Sequence, residues 1–167
     1  MRVFLIGFMG AGKSTTGRAL ARRTGSFFVD LDERVGASLG MTIPEIFRQR
    51  GEAVFRAEES RQLAACARFP DAVVATGGGT FAFEANRELI ARLGVSVFLD
   101  LPWEDVLRRL PGKCEERPLF SDPRAAYDLY RSRLPHYRKA DVSVRPQESE
   151  NGESLAGRIA LLLGGFS

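Results

Sequence analysis

Residues 3–14 read Val3-Phe4-Leu5-Ile6-Gly7-Phe8-Met9-Gly10-Ala11-Gly12-Lys13-Ser14. An unbroken apolar run ended by glycine is the pattern of a strand buried on both faces of a parallel sheet. The stretch from Gly7 to Ser14 then matches G-x-x-x-x-G-K-[ST], and a helical pattern follows over 13–23 until Gly25 stops it. A loop that wraps a polyphosphate comes so close that side chains would collide, which explains the glycines. The helix that follows aims its first amides at the anion. Lys13 is placed to neutralise β and γ phosphate oxygens, and the Ser14 hydroxyl to ligate magnesium.

Outward from this loop the chain alternates strand and helix. Phe27-Phe28-Val29 reads as a second buried strand, 72–75 as a third and 95–99 as a fourth, with an edge strand at 142–144. Thr42 and Glu45 form a capping pair for a short helix that Gly51 ends, and further helices are expected over 52–68, 84–93 and 155–163. Pro102 and Trp103 mark another helix start, with Trp103 read as packing. Asp122-Pro123 gives an N-cap and first-turn proline for a helix to about 139, and 147–152 reads as a polar connector. Strands separated by helices imply a parallel sheet with right-handed crossovers, whose ligands bind beyond the carboxyl ends of the strands. Residues 111–122, with two prolines, a glycine and mixed charges, are the candidate flap.

The chain has 167 residues, 44% hydrophobic and 27% charged, which fits one globular domain and excludes wholesale disorder. The apolar runs at 95–101 and 159–163 are far too short to cross a bilayer, and a signal-peptide core is missing. A soluble, cytoplasmic protein is the expectation. The net charge of +3 is too small to argue for nucleic acid. Arginine outnumbers lysine 21 to 3, which reads as codon bias, although guanidinium is the group that grips carboxylate and phosphate bidentately. Cys66, Cys114 and the single His136 make neither a disulfide framework nor a zinc site, and His136 is assigned no role.

Asp30 and Asp32 close the second strand. If the extended conformation persists beyond Asp30, both carboxylates reach the sheet rim, one to serve magnesium and the other to accept or orient a hydroxyl proton. The plain alternative is a helix N-cap beside a solvated acid. Gly77-Gly78-Gly79 ends the third strand and lets a ligand approach the backbone. Arg56 has Glu59 at i+3 to hold its guanidinium, a pair that by itself reads as a surface ion pair. Arg131, Arg133, Arg138 and Lys139 share one helix and read mostly as a solvated basic face.

Taken in order, GFMGAGKST from Gly7 to Thr15, Phe28-Val29-Asp30-Leu31-Asp32, Gly51-Glu52 with Phe55-Arg56 and Glu59, the triple glycine, Arg117-Pro118-Leu119, and Arg133 with Pro135 and Tyr137 resemble the shikimate kinases over nearly the whole length. The resemblance implies a three-layer α/β phosphate-loop kinase with a five-stranded parallel sheet in the order 2-3-1-4-5. It implies a lid at about 111–122 and substrate-binding helices within about 31–62. The activity implied is transfer of the ATP γ-phosphoryl group to the 3-hydroxyl of shikimate by a monomer that needs neither nucleic acid nor membrane. By family role, Gly10, Ala11, Gly12, Lys13, Ser14 and Thr15 would cradle ATP, and Ser14 and Asp30 would attend Mg2+. Asp32, Arg56, Gly78 and Arg133 would hold shikimate, and Lys13, Asp32 and Arg117 would carry catalysis, with Arg117 also reaching the nucleotide. The arginine expected near adenine is matched by Arg108 or Arg109, and further adenine contacts are expected in the flap and near Pro146 and Gln147. Shikimate carries one carboxylate and three hydroxyls, so its pocket wants arginines at one end and a carboxylate with backbone amides at the other. A gluconate-type kinase shares that need but not the Asp pair and triple glycine. The absence of Asn-Lys-x-Asp disfavours a GTPase, and intact Lys13, Ser14, Asp30 and Asp32 disfavour a regulator that has lost catalysis.

Overall fold

A computed structural model describes residues 1–109 and 122–164. The expected lid, apart from Asp122, lies outside the described residues, and with it Arg117 and Cys114. The elements in chain order are β1 (Arg2–Ile6), α1 (Lys13–Thr24), β2 (Phe27–Asp30), α2 (Leu31–Leu39), α3 (Ile43–Arg50), α4 (Glu52–Ala65), β3 (Ala72–Ala75), α5 (Glu84–Leu93), β4 (Val95–Leu99), α6 (Trp103–Arg109), α7 (Pro123–Tyr137), β5 (Val142–Val144) and α8 (Gly152–Leu163). Single 3-10 turns follow α4 and β3.

The sheet runs β2-β3-β1-β4-β5, all parallel, as the resemblance implies. β1 is central, and its Phe4, Leu5 and Ile6 are wholly buried, which is why its sequence shows no polar alternation. All four residues of β3 are buried as well. With β3 and β4 on either side of β1, the loops after β1, β2 and β3 gather at one rim. Trp103 packs against Tyr127 and Tyr130, as read from the sequence.

The helices α4 and α7 stop at Ala65 and Tyr137, short of the expected 68 and 139, so Arg138 and Lys139 lie past the helix that holds Arg131 and Arg133, and two further boundaries bear on the site and the closing helix. β2 ends at Asp30 and α2 begins at once, so the extended conformation does not continue to Asp32. The cause is the Asp30 side chain, whose Oδ1 accepts from the N–H groups of Asp32 and Glu33 and caps the helix. The closing helix starts at Gly152, three residues before the expected point, because Asn151 and Ser154 form a capping box inside the polar connector.

Helices α2, α3 and the start of α4 enclose a second, small core of Val35, Ile46 and Phe55, apart from the main one around β1. A polar seam ties α2 to α4: Arg34 donates to Gln62, Gln62 donates to Glu58, and Arg61 bridges Glu58 and Ser38. The Arg61 guanidinium hydrogen-bonded to Glu58 lowers its carboxyl from the ordinary 4.5 to about 2. A carboxyl lowered on folding adds stability above its unfolded value and loses it as pH falls through the folded one. The margin in urea midpoint of wild type over Glu58→Gln is therefore expected to be full above about pH 4.5 and to shrink towards pH 2. A margin independent of pH would contradict this role for the seam.

Candidate active site

The loop after β1 bends with φ +80 at Gly10 and +88 at Gly12, values that a residue with a Cβ rarely adopts. It delivers Lys13 and Ser14 to the first turn of α1, where Thr15 follows. No side chain caps that helix and no acid stands in its first turn, so its amides and dipole are directed at the loop's concave side. Ala11 is buried, and the Lys13 ammonium donates to the carbonyls of Gly7 and Phe8 at 2.8 and 2.9 Å. Arg109 donates to the carbonyl of Gly10 at 2.9 Å. A small cavity of about 160 Å³ beside it is lined by Arg108, Arg109, Pro146 and Gln147. Those are the described positions that the resemblance associates with adenine.

Ser14 Oγ donates to Asp30 Oδ2 at 2.6 Å. Asp30 is therefore the N-cap that the sequence left as the plain alternative, with one oxygen capping α2 and the other facing the phosphate-loop serine. Asp32, in the first turn of α2, is half-buried and turned towards the triple glycine, 3.0 Å from where a Cβ on Gly77 would stand.

Asp32, Arg56, Gly78 and Arg133 all line one cavity of about 870 Å³. Its apolar wall comes from Met9, Ile43, Phe47, Phe55 and Leu129. The size suits a small ligand, and the few converging polar groups suit an oriented one. Arg56 is not the surface pair that its spacing suggests. Its side chain is 18% exposed, and Glu59, which accepts from it at 2.9 Å, is 1% exposed. Glu59 also accepts from the Thr80 hydroxyl at 2.6 Å, and Phe55 and Phe83 lie beneath the guanidinium. A buried carboxylate with two donors makes a rigid anchor. Of the guanidinium's five N–H groups it engages one and Glu52 another, which leaves others for a ligand.

The triple glycine is explained by the protein's own side chains more than by a ligand. A Cβ on Gly77 would stand 2.5 Å from Glu59, and one on Gly79 2.6 Å from the Arg56 guanidinium. At Gly78 the nearest atom is an Arg133 nitrogen, at 3.3 Å. The turn is stripped of side chains so that two arginines and a carboxylate can close on it.

Arg48 also lines this cavity, and sequence reading missed it. Its only signal was a place one turn into the capped helix α3. Arg108 pairs with Glu148 and Asp105, and Cys66 is buried with its thiol pushed up by desolvation, which removes it as a nucleophile. His136 lies 3.4 Å from an Arg87 nitrogen, away from the cavity lining.

Comparison with known proteins accords with this geometry. The shikimate kinase family model matches residues 9–163. A shikimate kinase from Ruegeria pomeroyi is 42% identical over 96% of this chain and 84% of its own length. One from Aquifex aeolicus is 38% identical over 99% and 97%. The crystal structure of shikimate kinase from Aquifex aeolicus superposes with a TM-score of 0.84 at 37% identity, covering 99% of this chain and 98% of that one. The Acinetobacter baumannii shikimate kinase, solved in complex with shikimate, gives 0.91 at 34% identity, covering 99% and 94%. Because the likeness extends from the phosphate loop to the last helix at such identities, this chain belongs to the shikimate kinase family.

Proposed function

We propose that this chain transfers the γ-phosphoryl group of ATP to the 3-hydroxyl of shikimate, giving shikimate 3-phosphate and ADP on the route to chorismate and the aromatic amino acids. The observation that carries the reading is the cavity itself. Arg56 and Arg133 offer planar donors to a carboxylate, and Asp32 and the glycine turn offer an acceptor and backbone to hydroxyls, beside the phosphate loop. That a homologous fold has been solved with shikimate supports the substrate.

In this reading Asp32 takes the proton of the 3-hydroxyl as that oxygen attacks the γ-phosphorus, and ADP leaves along the loop. Lys13 and the first amides of α1 stabilise charge on the transferring and departing oxygens. Gly10, Ala11, Gly12 and Thr15 complete the cradle. Arg117, outside the described residues, is the further cation assigned to the transferring phosphate. Ser14 and Asp30 fit Mg2+: a hydroxyl and a carboxylate oxygen 2.6 Å apart are hard donors, and magnesium needs few protein ligands when phosphate and water supply the rest. When bound, the ion neutralises β and γ charge. No helix among the described residues is long and apolar enough to cross a membrane, and a monomer working in the cytoplasm without nucleic acid is the accompanying reading.

ADP release with shikimate, quinate and gluconate tests the function; strong stimulation by shikimate is expected, and equal stimulation by gluconate would overturn it. In the same assay Arg133→Lys keeps the charge but loses the planar fork. The shikimate KM is expected to rise at least ~10-fold with the ATP KM nearly unchanged, the scale of weakening one desolvated carboxylate contact. Shikimate reduced to the alcohol should remove most of the difference between the two enzymes. Equal weakening of both substrates would move Arg133 to the nucleotide site.

A further inference from the structure

Tyr137 ends α7 one turn after Arg133 and is 1% exposed, with its ring 5.3 Å from that of Phe98 on β4. Its hydroxyl donates to the carbonyl of Gly78 at 2.5 Å. Gly78 and Gly79 line the substrate cavity and Tyr137 does not, so the Gly78 carbonyl points out of the cavity and into the protein. In a trans peptide the N–H of the next residue lies anti to that carbonyl. The N–H of Gly79 therefore faces the cavity, and among the described residues no hydrogen bond uses it.

We infer that Tyr137 is a positioning residue for substrate recognition, whose hydroxyl fixes the Gly78–Gly79 peptide so that the Gly79 N–H is presented to the bound substrate beside Arg56. Two adjacent glycines make this peptide easy to rotate, since neither flanking residue has a Cβ to resist. The tyrosine hydroxyl supplies the missing restraint. It stays protonated, because burial pushes it up to about 12 against the opposing charge and hydrogen bond of the Arg133 guanidinium, so it remains a donor across the physiological range. Core filling alone would not need the oxygen, since a phenylalanine ring would stack on Phe98 equally well. Arg133 and Tyr137 on one helix thus reach the substrate by different means, one directly and the other through the glycine turn.

The inference rests on shikimate turnover at this cavity. The test is steady-state kinetics of Tyr137→Phe, which keeps the ring and removes the hydrogen bond. The shikimate KM is expected to rise about tenfold, the order of one lost hydrogen bond, with the ATP KM within about twofold. A lower melting temperature with both constants unmoved would make Tyr137 a purely structural residue and overturn the inference, as would an equal rise in both constants. If the variant does not fold, amide exchange in the wild type decides. Exchange at Gly79 should slow on adding shikimate and not on adding ADP, and an unchanged rate overturns the idea. A wild type inert towards shikimate sinks the function and the inference together; an active wild type with an unmoved variant sinks the inference alone.

Discussion

Replacing Lys13 by Ala is expected to lower turnover by at least ~100-fold, with the fold intact. The ammonium sits at the junction of loop and helix, held over the loop by two backbone carbonyls within 3 Å. In the proposed reaction negative charge builds on the β–γ bridge and the departing oxygens, and water is kept from screening it. A cation fixed there in advance stabilises the transition state more than the ground state, so its loss should appear in kcat as well as in the ATP KM. Single-turnover ADP release at saturating shikimate, together with an unchanged far-UV circular dichroism spectrum, is the measurement. Near-normal turnover would remove Lys13 from the mechanism.

Asp32→Asn is expected to reduce turnover by ~10²–10⁴-fold, as for loss of a general base. The side chain is nearly isosteric, so the cavity keeps its shape while the proton acceptor disappears. Binding of shikimate should change far less than turnover, because an amide can still meet a hydroxyl. Asp30 provides the contrast. Its carboxylate faces Ser14 and caps α2, so Asp30→Asn should respond to added magnesium, whereas Asp32→Asn should not. Full activity of Asp32→Asn, or its recovery in high magnesium, would reverse the two assignments.

The sheet and the phosphate loop were legible because their signals are local. An apolar run set against glycines reports burial on both faces, and G-x-x-x-x-G-K-S places its own strand and helix. The capping pairs at Thr42 and Asp122 were legible for the same reason. The start of α2 was not, because an aspartate at a strand end reads equally as the last extended residue or as an N-cap, and only the amide donors of Asp32 and Glu33 decide. The depth of Arg56 was also hidden, since i,i+3 spacing reports that Glu59 is near and says nothing about Thr80 or Phe83 closing over the pair. Nor could spacing tell which of Arg108 and Arg109 reaches the phosphate loop. Adjacent residues on a helix point about 100° apart, and contact with Gly10 depends on how α6 is rotated.

The small core of Val35, Ile46 and Phe55 bears on how the enzyme breathes. Segments with a modest core of their own can open while the rest of a domain stays folded, and such partial openings cost less than global unfolding. Asp32, Phe47 and Arg56 all belong to this helical unit, so a partial opening of it would reshape the cavity that they line. A ligand that bridges the unit to Gly78 and Arg133 adds its own binding free energy to that closure. For the proposed function, the affinity for shikimate would then include the free energy of holding α2, α3 and the start of α4 against the rest of the domain.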